Sequence, residues 1–175
     1  MEGQFPPKEG ERILQDLMAH LKPEKTILHQ SVTLFGEAAR VFDAGAIEGT
    51  ALLCRATLEA ACYVFLYRDW SKGMWWRFNP PRTHDGRIRP VRLEEMKRAI
   101  ARRGVLSDEQ MAALGRIQED GNLIAHVAAK QEVAMVSAAQ EGDISKARLW
   151  LTRDEALRDL KDAANILQTL LELPS

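Results

Sequence analysis

Apolar residues recur at intervals of three and four along most of this chain. Ile13, Leu14, Leu17, Met18 and Leu21 form one such stripe and predict an amphipathic helix over about residues 9–22. Pro23 separates it from a second helix over about 24–44, with Ile27, Leu28, Leu34, Phe35, Ala38, Val41 and Phe42 facing inward and Gly45 as its stop. From about 46 to 69 the pattern changes. Leu52, Leu53, Cys54, Leu58, Ala61, Cys62, Val64, Phe65 and Leu66 leave almost no polar face, and a helix apolar all round belongs at the centre of its bundle. Its length and Ala-rich middle argue against a buried strand.

Gly73, Pro80, Pro81, Gly86 and Pro90 make about 71–90 a long loop. A fourth helix over about 91–103 carries its acids, Glu94 and Glu95, early and its bases, Arg98, Arg102 and Arg103, late, which suits the helix dipole; Gly104 closes it. A fifth begins at Ser107, where Gln110 completes a capping box, and Met111, Leu114, Ile117, Ile124 and Ala128 mark its buried stripe. Between about 130 and 148 two readings stand, a helical extension with a loop at Glu141-Gly142-Asp143, or a short hairpin ending at Arg148-Leu149-Trp150-Leu151. The last helix starts at Thr152, with Glu155 as reciprocal cap, and buries Ala156, Leu160, Ala163, Leu167 and Leu170. The expected fold is therefore all-α, an up-and-down bundle of five to six helices in one domain over 1–175, with a polar tail over about 1–8.

Composition adds limits. A hydrophobic share of 46% supplies a core, and a net charge of −1 does not by itself point to nucleic acid or a membrane. Cys54 and Cys62 lie on one helix, separated by roughly 12 Å of rise, too far for a disulfide, so they read as buried small hydrophobes in a reducing compartment. The N-terminus has no apolar leader pattern, and no apolar run reaches the roughly 20 residues that span a bilayer. The expectation is a cytoplasmic protein without a membrane partner. There is no metal-ligand spacing, phosphate-cradling glycine loop or recognisable nucleophile setting, so neither a metal nor a cofactor is expected.

Three features carry candidate chemistry. Arg55 and Glu59 are four apart on the most apolar helix, where charge needs a partner. Either they pair with each other or a neighbour, or Arg55 faces a polar pocket and binds an anion with Glu59 orienting it. The second feature is Gly121 to His126. Glycine inside a helix costs about 1 kcal/mol relative to alanine, so Gly121 asks for a close helix crossing, with the central apolar helix as the neighbour. Asn122 and His126 share a face, either as satisfied core groups or as a binding and proton-transfer pair. The third is the segment from Arg68 to Arg92, with a local excess of five positive charges. Trp75, Trp76 and Arg77 fall within it, as do Arg82 and Arg87. Aromatic and basic side chains together suit single-stranded nucleic acid through stacking and phosphate contact. The same composition suits packing onto the bundle, a second subunit or another partner.

The run Arg55-Ala56-Thr57-Leu58-Glu59, then Leu93 and Ile100 on a short helix, then Gly121-Asn122-x-x-Ala125-His126 and a capped C-terminal helix resembles a bacterial family of unknown function. That family is associated with restriction and defence proteins and grouped with the HEPN superfamily; the resemblance spans about residues 30–172. It implies a HEPN-type bundle, a homodimer, an RNA or nucleotide-type ligand and a defence-system or toxin–antitoxin setting with a partner protein. Many HEPN proteins are metal-independent ribonucleases in which an Arg shortly before a His forms a composite site across the dimer. The pair supplies a proton acceptor near the ribose hydroxyl and a cation on the phosphate. The resemblance puts His126 and Asn122 in the motif. The positions open to the Arg are Glu119, Asp120 and Gly121, none basic, and Arg116 lies roughly 15 Å from His126 along a straight helix. On this reading Arg55 must supply the cation from the third helix, with His126 as base. The alternative is a non-catalytic dimerisation or partner-binding module.

Overall fold

The computed structural model describes residues 8–21, 30–67, 80–126, 136–137, 140 and 150–172. These form an all-α bundle: α1 Glu9–His20, α2 Gln30–Asp43, α3 Ile47–Tyr67, α4 Leu93–Arg103, α5 Asp108–Ala125 and α6 Arg153–Glu172. Among the described residues there is no strand, only an isolated antiparallel bridge between Arg82 and Ile88. Most of 130–148, with its choice between helix and hairpin, lies outside the described residues; 136, 137 and 140 are helical.

α3 is the central element, with α2, α4, α5 and α6 all packed on it. Cys54, Leu58, Ala61 and Cys62 are buried along it, in one cluster with Phe35 and Phe42 of α2, Met96 and Ile100 of α4, Leu114 and Ile117 of α5, and Leu160, Ile166 and Leu167 of α6. Both cysteines are free thiols, as their spacing requires. Burial, with Asp159 adding to it, pushes the Cys54 thiol well up, so it sits there as an uncharged core group. α3 is nevertheless 21 residues long and, by length and composition alone, apolar enough to cross a membrane. This corrects the expectation that no segment reaches that length: Glu48, Arg55 and Glu59 interrupt the apolar run without lowering its average enough. In the bundle 39% of that apolar stretch is buried against other helices.

Two expected core positions are exposed. Met18 (42%) and Leu52 (38%) sit at the edges of their stripes, where a helix face turns towards solvent. The local stop and start residues behave as their chemistry demands. Gly45 (φ +84°) and Gly104 (φ +62°) end α2 and α4 in the left-handed region. Ser107 and Gln110 cap α5 reciprocally, and Thr152 and Glu155 do the same for α6.

Part of the long loop is ordered by its own bonds. Residues 80–90 turn back through Thr83 N–H to Arg87 C=O (2.8 Å), Gly86 N–H to Thr83 C=O (2.9 Å) and Arg89 N–H to Pro81 C=O (2.8 Å). Gly86 (φ +82°) makes the turn possible. Arg89 then forks onto Glu95 of α4 with two bonds (3.2 and 2.7 Å), which hold the Glu95 carboxyl below its ordinary range.

α1 lacks a side-chain cap of its own at Lys8. Asp43, at the far end of α2, supplies one by accepting from Gly10 N–H (2.8 Å) and Glu11 N–H (2.9 Å). The approach is close enough that a β-carbon on Gly10 would lie 2.4 Å from the Ala39 carbonyl oxygen. Asp43→Ala therefore strands two amide donors at the helix N-terminus, and urea unfolding should show a loss of about 1–2 kcal/mol. An unchanged midpoint would mean that water replaces the carboxylate without cost.

Candidate functional site

At Gly121 α5 makes a close contact with α3. A β-carbon built on Gly121 would stand 2.6 Å from Cδ, 2.8 Å from Cβ and 3.2 Å from Cγ of Arg55. The stem of Arg55 therefore fills the space that any other residue at 121 would occupy. The close crossing expected from a mid-helix glycine is present, and α3 is the neighbour that makes it. Asp120 and Gly121 are buried, while Asn122 is half-buried at the side of the contact.

Arg55 does not pair with Glu59. Among the described residues it makes no ion pair, and its buried Nε has no hydrogen-bond partner. Glu59 faces elsewhere: it lines an open cleft of about 570 Å³ with Leu34 of α2, Tyr63 and Val64 of α3, and Val91 and Met96 around the start of α4. Helical spacing puts the two residues on one side of α3, but the neighbours on that side differ over the length of a turn. Glu59 also lies near Cys62, whose thiol is pushed up to about 12, by burial first and by this carboxylate second.

His126 caps the C-terminus of α5. Its backbone N–H donates to Asn122 C=O (3.1 Å), and its ring is exposed. It is thus not a satisfied core histidine. It stands about 7.5 Å further along the helix axis than Gly121. Among the described residues no hydrogen bond or ion pair joins it to Arg55. The structure therefore brings Arg55 onto the Gly121–His126 helix without placing the two side chains in contact. Trp75, Trp76 and Arg77 lie outside the described residues. Arg82 and Arg87 are exposed on the turn, Arg82 donating to Gly86 C=O (2.7 Å) and Arg87 pairing with Asp85 (3.2 Å).

Sequence reasoning missed the polar cluster on the other side of α5. Asp120 and Asp159 are both completely buried between α5 and α6. Arg158 spans them, at 3.9 Å from Asp120 and 4.0 Å from Asp159. Arg116 approaches Asp159 at 3.7 Å and is hydrogen-bonded to Asp162. Burial, then the neighbouring Asp120 carboxylate, pushes the Asp159 carboxyl up to about 7, against the opposing pull of Arg158 and Arg116. Arg116 is thus committed to the helix interface and is no substitute for a cation beside His126. Asp120 is turned inward rather than towards an incoming phosphate. The sequence held one pointer to this cluster: both acids fall at positions that continue a buried stripe, Asp120 after Ile117 and Asp159 between Ala156 and Ala163.

Gly121→Ala should force α3 and α5 apart, since the added carbon meets Arg55 from its own Cβ outward. Overpacking of this kind costs about 1–3 kcal/mol, readable as a lowered Tm. Arg55→Ala in the same chain should restore only part of it, because a β-carbon remains 2.8 Å away. Full restoration would place the contact in the flexible end of the side chain instead. Compared with known proteins, the chain matches no protein-family model, and neither a curated protein nor a solved structure matches it significantly.

Proposed function

We propose that the Arg55–Gly121–His126 region is half of a composite site that binds RNA or a nucleotide-type ligand, in a HEPN-like homodimer acting in a prokaryotic defence or toxin–antitoxin system. The observation that carries this reading is the position of Arg55. The motif that the sequence resembles wants a cation just before His126, and the chain has Gly121 there. The space above Gly121 is filled by an arginine from the next helix. On this reading the cation of the motif comes from α3 rather than from α5 itself; the part of Arg55 that lies against Gly121 is its stem, Cβ to Cδ.

The supporting chemistry is simple. Arg55 is not paired with Glu59, so its charge is not neutralised there, although its Nε is buried, and the exposed His126 is accessible to a ribose hydroxyl. In a cleavage reaction His126 takes the proton of the 2′-hydroxyl as general base. The 2′-oxygen bonds to phosphorus while the bond to the 5′-oxygen of the next nucleotide breaks, that oxygen leaves as a hydroxyl with a proton from water, and Arg55 holds the phosphate as charge builds on it. Asn122 shares the helix face of His126 and orients the ligand. A second subunit supplies the other half, and the exposed Arg82 and Arg87 extend the phosphate-binding surface.

One observation favours the second reading, a non-catalytic module for dimerisation or partner capture. Trp150 (68%), Ile88 (59%) and Val136 (54%) are large apolar side chains left exposed.

Incubation of the purified protein with mixed RNA in excess chelator separates the readings. Cleavage that His126→Ala lowers by about 10²-fold or more supports the enzyme. Absence of cleavage with RNA affinity that falls steeply with salt removes catalysis and keeps binding. No RNA affinity at low salt removes the proposal in favour of the partner-binding module.

A further inference from the structure

Asp159 is a fully buried ionisable group that the proposed site does not use. Its side chain is 0% exposed, and both carboxyl oxygens are sealed from solvent. The groups facing it are Asp120 and Arg116 from α5, Arg158 from α6 itself, and the neutral Cys54 thiol from α3. α1 and α2 also pack on α6, and meet it through the Glu9–Lys161 pair and the Arg153–Phe42 contact.

The two cations compensate it poorly. At 3.7 and 4.0 Å both guanidinium nitrogens are beyond hydrogen-bonding distance. Arg116 is hydrogen-bonded to Asp162 instead, and Arg158 is 46% exposed and shared with Asp120. As a carboxylate, Asp159 would be a dry charge without a donor, beside a second acid. Two carboxylates have no proton to share and repel each other; one carboxylate and one carboxylic acid make a strong bond.

We infer that Asp159 is held as the neutral acid, donating a hydrogen bond to the Asp120 carboxylate, and that this proton is a pH-sensitive clasp between α6 and α5. The clasp stands whether or not the protein binds RNA. It bears on the candidate site because Asp120 is the residue before Gly121. Ionisation of Asp159 puts a second negative charge against Asp120, the neighbour of Gly121 on the helix that also carries Asn122.

The direction of the pH effect follows from the raised value of about 7. In the unfolded chain Asp159 ionises at an ordinary aspartate value of about 3.9. The folded state therefore holds a proton that the unfolded state has released. The stabilisation is complete below the unfolded value, falls as pH rises, and is gone above the folded value. Asp159→Asn keeps an N–H donor for Asp120 and cannot ionise, so it should remove this slope.

The test is a titration of the Asp159 side-chain carboxyl carbon by NMR in the whole protein, with amide exchange along α5 measured at pH 6 and pH 8. We expect a midpoint near neutrality, displaced towards the acid range in Asp120→Asn. Exchange around Gly121, corrected for the intrinsic rate, should rise several-fold more in the wild type than in Asp159→Asn. A midpoint in the ordinary aspartate range overturns the shared proton. Equal exchange in wild type and Asp159→Asn overturns the clasp. If Asp159→Asn does not fold, the wild-type and Asp120→Asn titrations decide: a midpoint that Asp120→Asn leaves unmoved also overturns the shared proton.

Discussion

At Gly121 the axis of α5 lies so close to α3 that the missing β-carbon is the condition of the contact. The stem of Arg55 lies in the gap, with Cβ and Cδ both within 3 Å of where that carbon would be. Glycine in mid-helix costs about 1 kcal/mol in backbone freedom, and the apolar stem of the arginine offsets it by covering the exposed backbone. With α5 drawn in on this side, α3 keeps its other faces for α2, α4 and α6, and becomes the centre of the bundle. The buried Arg55 Nε without a hydrogen bond is a cost that packing alone does not remove, and groups left in that state in folded proteins call for a reason. A bound anion is the reason offered here.

α5 is therefore read from two sides by adjacent residues. Gly121 meets α3, and Asp120 meets α6. One contact is steric and insensitive to conditions. The other depends on a proton whose equilibrium lies near neutrality. The two residues are consecutive, so the α5–α6 contact and the Arg55 seat share one turn of backbone. Arg116, which the charge pattern alone would offer to a ligand, is engaged in this interface, and Arg158 reaches both buried acids at 3.9 and 4.0 Å from a half-exposed position.

What could be read in the sequence was what local chemistry decides. The caps at Ser107–Gln110 and Thr152–Glu155 and the left-handed stops at Gly45 and Gly104 involve residues within one turn, so spacing is enough. The centrality of α3 followed from its apolar circumference. The crossing at Gly121 was legible because an unexplained helix glycine asks for a neighbour. The acid pair was not, because nothing local links Asp120 to Asp159; packing of α5 on α6 does. Likewise, four-residue spacing said that Arg55 and Glu59 share a side of α3. It could not say that Arg55 meets α5 while Glu59 opens onto the cleft near α4. The Trp75-Trp76-Arg77 part of the loop, which carried much of the nucleic-acid reading, lies outside the described residues, so the site now rests on Arg55, Asn122 and His126.

The central claim is that Arg55, seated on Gly121, and His126 serve one ligand. Nitrogen-15 NMR of the Arg55 Nε–H and the His126 ring during titration with a short single-stranded RNA tests this most directly. The account predicts that both resonances shift and saturate at the same RNA concentration. RNA that binds while the Arg55 Nε–H stays unmoved, or that moves the two groups at different concentrations, would contradict it.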